Sequence, residues 1–319
     1  MKALYAQLQS ELQRFHVQEQ SIETVFIGGG TPSTVSPELY QPIFDLLKNY
    51  LACGIEITSE ANPNSATKEW LLGMWKLGVN RISFGVQSFN NDKLKLLNRA
   101  HNSEEAKTAI MNAAEIGFEN ISLDLIYATL YDTKELLEYD LETAFSLPIN
   151  HLSAYALTIE EGTPFERKPH MSKEILKVTT WLFDAIQAHG FHQYEISNFG
   201  KYQSRHNLGY WQYKDYIGLG SGAVGKMDSQ RFYPTTIIEE YIANPFNIKI
   251  ETLSNEDKKI EQIFLGFRSC VGVDEKVFSQ NELKRANILV DEKKLDSLKG
   301  RFYNLDYLLA DEITLFVCA

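Results

Sequence analysis

Residues 24–32 read Thr-Val-Phe-Ile-Gly-Gly-Gly-Thr-Pro. Four residues suited to a pleated, half-buried strand run straight into three glycines and a proline. A strand ends here and the chain leaves it through a tight turn. Similar β-rich runs follow at Ile55–Ser59, Arg81–Val86, Ile121–Tyr127, Leu152–Leu157 and Tyr194–Ile196. Helix signals occupy the gaps. Ser36-Pro37 offers an N-cap with proline at the first helical position. Asn102 with Glu105 makes a capping box ahead of Ala106–Ile116. Ser172 precedes a helix that Gly190 can end in a left-handed conformation. Strands spaced about thirty residues apart with a helix in each gap are repeated βα units, which predicts parallel strands curved into a sheet or barrel.

Upstream of this pattern, Leu4, Leu8, Leu12 and Phe15 recur at helical spacing and predict a helix over residues 2–16. It is under way from the first residues without a cap, and the expectation is that further sequence precedes it. Downstream, residues 199–250 are richer in Gly, Tyr and Asn and read as loops with a hairpin. From 251 the pattern is short and helical, with Ile260, Ile263, Phe264 and Phe267 on one face. The expected division is an α/β domain over 1–250 and a small, mainly helical, winged-helix-like domain over 251–319.

The composition suits a large buried core, with 44% hydrophobic and 23% charged residues in 319. Lys and Arg number 31 against 42 Asp and Glu, a formal net charge of −11. That balance argues against nucleic acid or an anionic membrane as the main partner, since both need basic patches. No run approaches the roughly 18–20 continuous apolar residues of a transmembrane segment. Met1-Lys2 leads into the amphipathic pattern without the marks of a signal peptide, so the cytoplasm is the expected location. Cys53, Cys270 and Cys318 are widely spaced and form no CxxC-type motif, which suits thiols with at most a structural role.

The informative polar residues stand at the carboxyl ends of successive strands. Gly28-Gly29-Gly30-Thr31-Pro32 ends the first, Glu60 the second and Gln87 the third, while Asp124 lies within the fourth. In a parallel βα architecture those ends line one mouth. Singly, each has a plain explanation: a glycine run is a tight bend, and an Asp in a strand can simply bond its neighbours. Together on four consecutive units they predict a ligand-binding mouth.

These residues sit within longer motifs. "FIGGGTPS" (26–33), "SEANPNS" (59–65), "NRISFGVQSFN" (80–90), "NRAH" (98–101), "SLDLIY" (122–127), "LSAYALTIEEGTPF" (152–165), "YEISNFG" (194–200), "RHNLGYW" (205–211) and "YIGLGSGA" (216–223) follow one another in this order. The series resembles the coproporphyrinogen-oxidase-like radical S-adenosylmethionine (SAM) proteins over nearly the whole chain. The resemblance implies a partial (β/α) barrel of six units, here an incomplete one with its first strand missing, and a small C-terminal domain. It also implies that Gly29, Gly30 and Thr31 meet the methionine end of S-adenosylmethionine, where absent Cβ atoms let the backbone approach. Glu60 corresponds to an acidic cofactor contact, Gln87 and Asp124 to ribose contacts, and Arg99 to the partner of the methionine carboxylate.

"HNLGYW" (206–211) resembles the HNxxYW motif of the haem-chaperone (HemW) branch. It implies haem as a ligand of His206, Asn207, Tyr210 and Trp211, with imidazole suited to iron and the aromatics to a porphyrin face. A hydrogen-bonded histidine in an aromatic loop is the alternative. Two departures stand out. The CxxxCxxC loop that holds the family's [4Fe–4S] cluster is not in this sequence, so no metal ligands for iron–sulfur are assigned. "IYATLYDT" (126–133) replaces the relatives' IYGLPGQT-like turn. The readings are therefore a HemW-type chaperone passing haem to an acceptor haemoprotein, an oxygen-independent coproporphyrinogen III oxidase, or a family member without radical chemistry. No catalytic residue is assigned, and a homodimer is compatible with each reading.

Overall fold

The computed structural model describes residues 1–319 except 160, 161, 163, 164 and 174, so part of the 152–165 motif lies outside the described residues. Two compact units emerge. One comprises Glu23–Gln41 and Gly54–Gln203; the other comprises Met1–Ile22, Pro42–Cys53 and Ser204–Ala319.

The first unit holds nearly all of a seven-stranded sheet. Its strands are β1 (Ile22–Ile27), β2 (Leu51–Ala61), β3 (Arg81–Gln87), β4 (Asn120–Tyr127), β5 (His151–Ala156), β6 (His192–Gln193) and β7 (Asn198–Gly200). They lie in the order β1-β2-β3-β4-β5-β7-β6, with β1 at one edge, and curl into an incomplete barrel. Strands β2 to β5 pair in parallel. The period-two pattern explains the curl's two faces. Ile82, Phe84, Ile121, Leu123, Leu152 and Ala154 are buried on the side covered by helices such as Ser103–Ile116. The alternate positions are polar: Thr58 and Glu60, Arg81 and Ser83, Ser122 and Asp124, His151 and Ser153. Register places them side by side, Glu60 beside Ser83, Ser83 beside Ser122 and Asp124 beside Ser153.

The expected sixth parallel strand is corrected. Residues 194–196 form most of the turn of a hairpin, and β7 runs antiparallel to both β5 and β6. The crossover helix Leu176–Ala188 does return the chain in the direction of β5, but β6 ends after two residues. The chain then reverses within four residues, too short for another crossover, so only antiparallel pairing is open to β7.

Several local signals are realised. Asn102 and Glu105 form the capping box of Ser103–Ile116, and Gly190 has φ +79°. Ser172 does not cap its helix. Its hydroxyl donates to Leu157 O at 2.6 Å, and the helix begins at Leu176.

In the second unit the first helix is Lys2–Arg14. The region expected to be loops and a hairpin contains helices Arg205–Trp211 and Ile238–Ala243. It also contains β8 (Gly225–Met227), β9 (Gln230–Pro234) and β10 (Ile248–Thr252), an antiparallel sheet that includes the expected hairpin. Beyond it, helices Asn255–Phe267, Gln280–Asp291 and Ala310–Cys318 pack with β11 (Val273–Asp274), β12 (Leu295–Leu298) and β13 (Arg301–Asn304). Their shared core includes Ile263, Phe267, Leu289, Phe302 and Ile313. Among the described residues no helix is long and apolar enough to cross a membrane.

Candidate functional site

At the end of β1 the three glycines have different reasons to be glycine. A Cβ on Gly28 would fall 2.4 Å from the Phe26 ring and 3.2 Å from Glu60 Cδ. Gly29 and Gly30 instead have φ +78° and +66°, and among the described residues no atom beyond their chain neighbours lies within 4 Å of where a Cβ would stand. Their backbone is both left-handed and open to a ligand. Gly29 N–H donates to Glu60 Oε2 at 3.2 Å, which ties the turn to the end of β2. Burial raises the Glu60 carboxyl above its usual range and the Gly29 bond partly offsets this. Thr31 O accepts from the Thr34 amide at 3.0 Å and hydroxyl at 2.8 Å, closing the turn Pro32–Thr34.

Gln87 ends β3 after a register shift that begins at Phe84, and it is buried with φ +68°. A glutamine held in the left-handed region stores strain of the kind found where a side chain is aimed for a purpose. Gly85 leaves room for it, since a Cβ there would stand 3.1 Å from Gln87 Nε2. Asp124 on β4 is half-buried, and its carboxyl is pushed up to about 6. Burial is the main cause. Ser153's hydrogen bond opposes it, Glu60's charge adds to it, and Arg81 and Arg99 oppose it.

Arg99 follows the short helix Asn91–Leu96 and senses the Asp124 charge. Burial lowers its pKa, and its Nε is buried without a hydrogen-bond partner among the described residues. A buried guanidinium N–H left unpaired is costly unless something supplies an acceptor. Gly29, Glu60, Asp124 and Arg99 are thus linked by a hydrogen bond and by mutual electrostatics, with Gly30, Thr31 and Gln87 at strand ends of the same unit.

The sheet adds residues that sequence reasoning passed over. Tyr155, two positions beyond Ser153 on β5, is exposed as a residue, but desolvation around its hydroxyl raises it well above the ordinary tyrosine value, with Ser153 and Asn198 opposing the shift. Glu195 in the β6–β7 turn is 1% exposed and pushed up to about 7, by burial first and against bonds from Ser197 and Asn198. Its Oε1 and Asn198 Oδ1 are buried without hydrogen-bond partners among the described residues. The alternation His151-Leu-Ser153-Ala-Tyr155 was the available signal; the hairpin that brings Glu195 and Asn198 beside it was not. Nearer the amino ends of the strands the inner face is closed by a buried network. His151 Nδ1 hydrogen-bonds Ser122 Oγ at 2.7 Å and Nε2 hydrogen-bonds Tyr194 OH at 2.7 Å, beside Arg81 and Tyr202. Burial, with the Arg81 charge, holds His151 neutral well below the usual histidine range.

His206, Asn207, Tyr210 and Trp211 belong to the other unit. They form the helix Arg205–Trp211, where a loop was expected, because Ser204 Oγ caps it by accepting from Asn207 N at 3.3 Å. The His206 ring meets Tyr210 edge-on at 4.9 Å, one helical turn away, and Tyr210 meets Tyr216 at 4.7 Å. No residue of this helix is buried; His206 and Trp211 are half-buried and Tyr210 is exposed. Cys53 is exposed, Cys270 and Cys318 are half-buried, and none of the three forms a disulfide among the described residues. Among the described residues no group of three or more His, Cys, Asp or Glu is placed to hold a metal. The residues present therefore do not fit an iron–sulfur cluster.

The Radical SAM superfamily model matches residues 5–144. The protein named heme chaperone HemW in Bacillus subtilis (strain 168) is 35% identical over 280 residues, covering 82% of this chain and 74% of that protein. Its namesake in Haemophilus influenzae is 36% identical over 293 residues, covering 86% and 76%. Coproporphyrinogen III oxidase (HemN) from Escherichia coli, described as a radical SAM enzyme, superposes with a TM-score of 0.77. That match covers 99% of this chain and 82% of the oxidase at 18% identity, a likeness of fold.

Proposed function

The chain belongs to the HemW haem-chaperone family of the radical SAM superfamily, and from that premise we propose that it binds haem and S-adenosylmethionine and passes haem to an acceptor haemoprotein. The observation that carries the haem reading is His206, half-buried on a surface helix and flanked by Tyr210 and Trp211. A neutral imidazole is an axial ligand for haem iron, and a flat macrocycle needs the open approach that an unburied helix provides. Tyr210 and Trp211 add apolar contact worth about 1–3 kcal/mol each against a porphyrin face. Asn207 starts the same turn through its bond to Ser204.

The cofactor part of the reading rests on Arg99. Its unpartnered Nε suits a carboxylate acceptor, and the open backbone of Gly29 and Gly30 suits an amino-acid end. Glu60, Gln87 and Asp124 would then hold ammonium and ribose groups, with Thr31 fixing the turn. S-adenosylmethionine, when bound, supplies a sulfonium-activated methionine and an adenosyl group. The oxidase reading has fold likeness alone behind it. A cytosolic location and a separate domain over 251–319 are part of the same proposal.

His206→Ala tests the haem reading. Loss of the Soret shift on titration with haem, at an unchanged melting temperature, is the expected result. A lower melting temperature with the haem absorbance unaltered would assign His206 to structure and remove the chaperone reading. For the cofactor, calorimetry should show weaker S-adenosylmethionine binding in Asp124→Ala, and identical titrations would remove Asp124 from the ligand set.

A further inference from the structure

The helix that presents Arg99, Asn91–Leu96, is six residues long and depends on its anchors for stability. Its end is closed in detail. Leu97 caps it and Asn98 follows in the left-handed region at φ +53°. Asn98 N–H donates to Lys95 O at 3.0 Å, and Arg99 N–H donates to Leu94 O at 2.9 Å. This paired closure is a Schellman motif, so the Arg99 backbone moves only if the helix moves.

Lys93 holds the helix. Its side chain is 1% exposed, and Nζ stands 2.7 Å from Asp132 Oδ1 and 3.6 Å from Asp140 Oδ2. The shorter contact lacks hydrogen-bond angles, so charge, and not a directed bond, holds the pair. Asp132 lies in the loop after β4, where its second oxygen accepts from Thr129 N at 2.8 Å. Asp140, on the helix Lys134–Phe145, accepts from Ser88 Oγ at 2.8 Å and from Phe89 N at 2.6 Å. One buried ammonium therefore joins the loop after β3, the helix before Arg99, the loop after β4 and a covering helix. Asp132 also belongs to the stretch 126–133 that departs from the relatives' glycine–proline turn.

We infer that Lys93, held by Asp132 and Asp140, is the positioning residue that sets the Arg99 guanidinium at the mouth of the barrel for a carboxylate-bearing ligand. The inference rests on the reading of Arg99 as the partner of the methionine carboxylate. Burying a lysine between two carboxylates gives a fixed geometry, at a desolvation cost that an apolar residue would not incur. The loop after β4 and the arginine after β3 are thereby locked to each other, so a displacement of Asp132 is transmitted to Arg99.

The test titrates the full chain with S-adenosylmethionine and with its decarboxylated analogue, which lacks the group Arg99 would bind. Wild type should prefer S-adenosylmethionine by about tenfold or more, the usual worth of a hydrogen bond to a charged group. Arg99→Ala should bring that ratio near one. Asp132→Asn keeps the shape and an acceptor for Thr129 but removes the charge facing Lys93. It should lower the preference by about threefold or more while leaving the affinity for the decarboxylated analogue in place. A purely structural role would weaken both ligands alike and leave the ratio untouched, and that outcome overturns the inference. Should Asp132→Asn fail to fold, the double variant Lys93→Met with Asp132→Leu removes both charges together and is read by the same ratio. A wild type with no preference between the ligands removes the cofactor reading of Arg99 and the positioning role with it. A wild-type preference that survives in the variants removes the positioning role alone.

Discussion

Asp124→Asn should make the protein more stable at neutral pH. The Asp124 carboxyl moves from 3.8 to about 6 in the fold, chiefly through burial. In the unfolded chain it titrates near its ordinary value of about 3.9. Between those values the folded chain binds more protons than the unfolded one. Stability is therefore fully present below about pH 4, falls as pH rises towards about 6, and is level beyond. A shift of about two units at about 1.36 kcal/mol each places the loss at roughly 2–3 kcal/mol. Asparagine has no charge to desolvate and still offers Ser153 an acceptor, so the variant lacks this slope. Glu60 and Glu195 also have raised pKa values and contribute falling stability of their own, but they remain in both proteins. The difference between the two thus isolates Asp124 together with its repulsion from Glu60. Urea melts across the pH range should show that difference growing from near zero at about pH 4 to roughly 2–3 kcal/mol in favour of Asp124→Asn above about pH 7. Parallel curves, or a variant less stable than wild type at high pH, would refute the account of Asp124 as a carboxylate held in the fold against its desolvation cost.

Ala128 has φ +60° in the loop after β4, so Ala128→Gly should relieve left-handed strain and raise unfolding stability by up to about 1 kcal/mol after glycine's entropy is allowed for; a destabilised variant would show that the alanine methyl has a packing role. Tyr194→Phe removes the hydroxyl that partners His151 Nε2 in a fully buried site, and a loss of about 1–3 kcal/mol is expected in the same melts. An unchanged stability would mean that the network at the amino ends of the strands finds another partner for His151.

Strand-end position was legible in the sequence because it depends on backbone direction alone. Once β1 to β4 were legible as strands, Gly29, Glu60 and Gln87 had to fall at or beside their carboxyl ends and Asp124 within β4, whatever the helices between them did. What escaped the sequence lies where direction was misjudged or contacts are distant. Tyr194–Ile196 has the composition of a strand, yet two-residue β6 and the short turn after it reverse the chain, and that reversal alone brings Glu195 and Asn198 next to Tyr155. The segment 205–211 reads as an irregular aromatic stretch because Gly209 and Asn207 lower its helix propensity; Ser204's cap and the His206–Tyr210 contact outweigh them. Lys93 shows the third kind of failure. In sequence it is one charge among several on a polar helix, and only the fold, by placing Asp132 and Asp140 against it, turns a solvated lysine into a buried joint. The two carboxylates are 39 and 47 residues away along the chain, so no local pattern could have paired them with it. The residues proposed to meet a ligand are thus the ones that can be read from strand positions, while the joint proposed to hold Arg99 in place arises from contacts between loops, which is why variants at Lys93 and Asp132 probe the proposed site in a way its strand residues cannot.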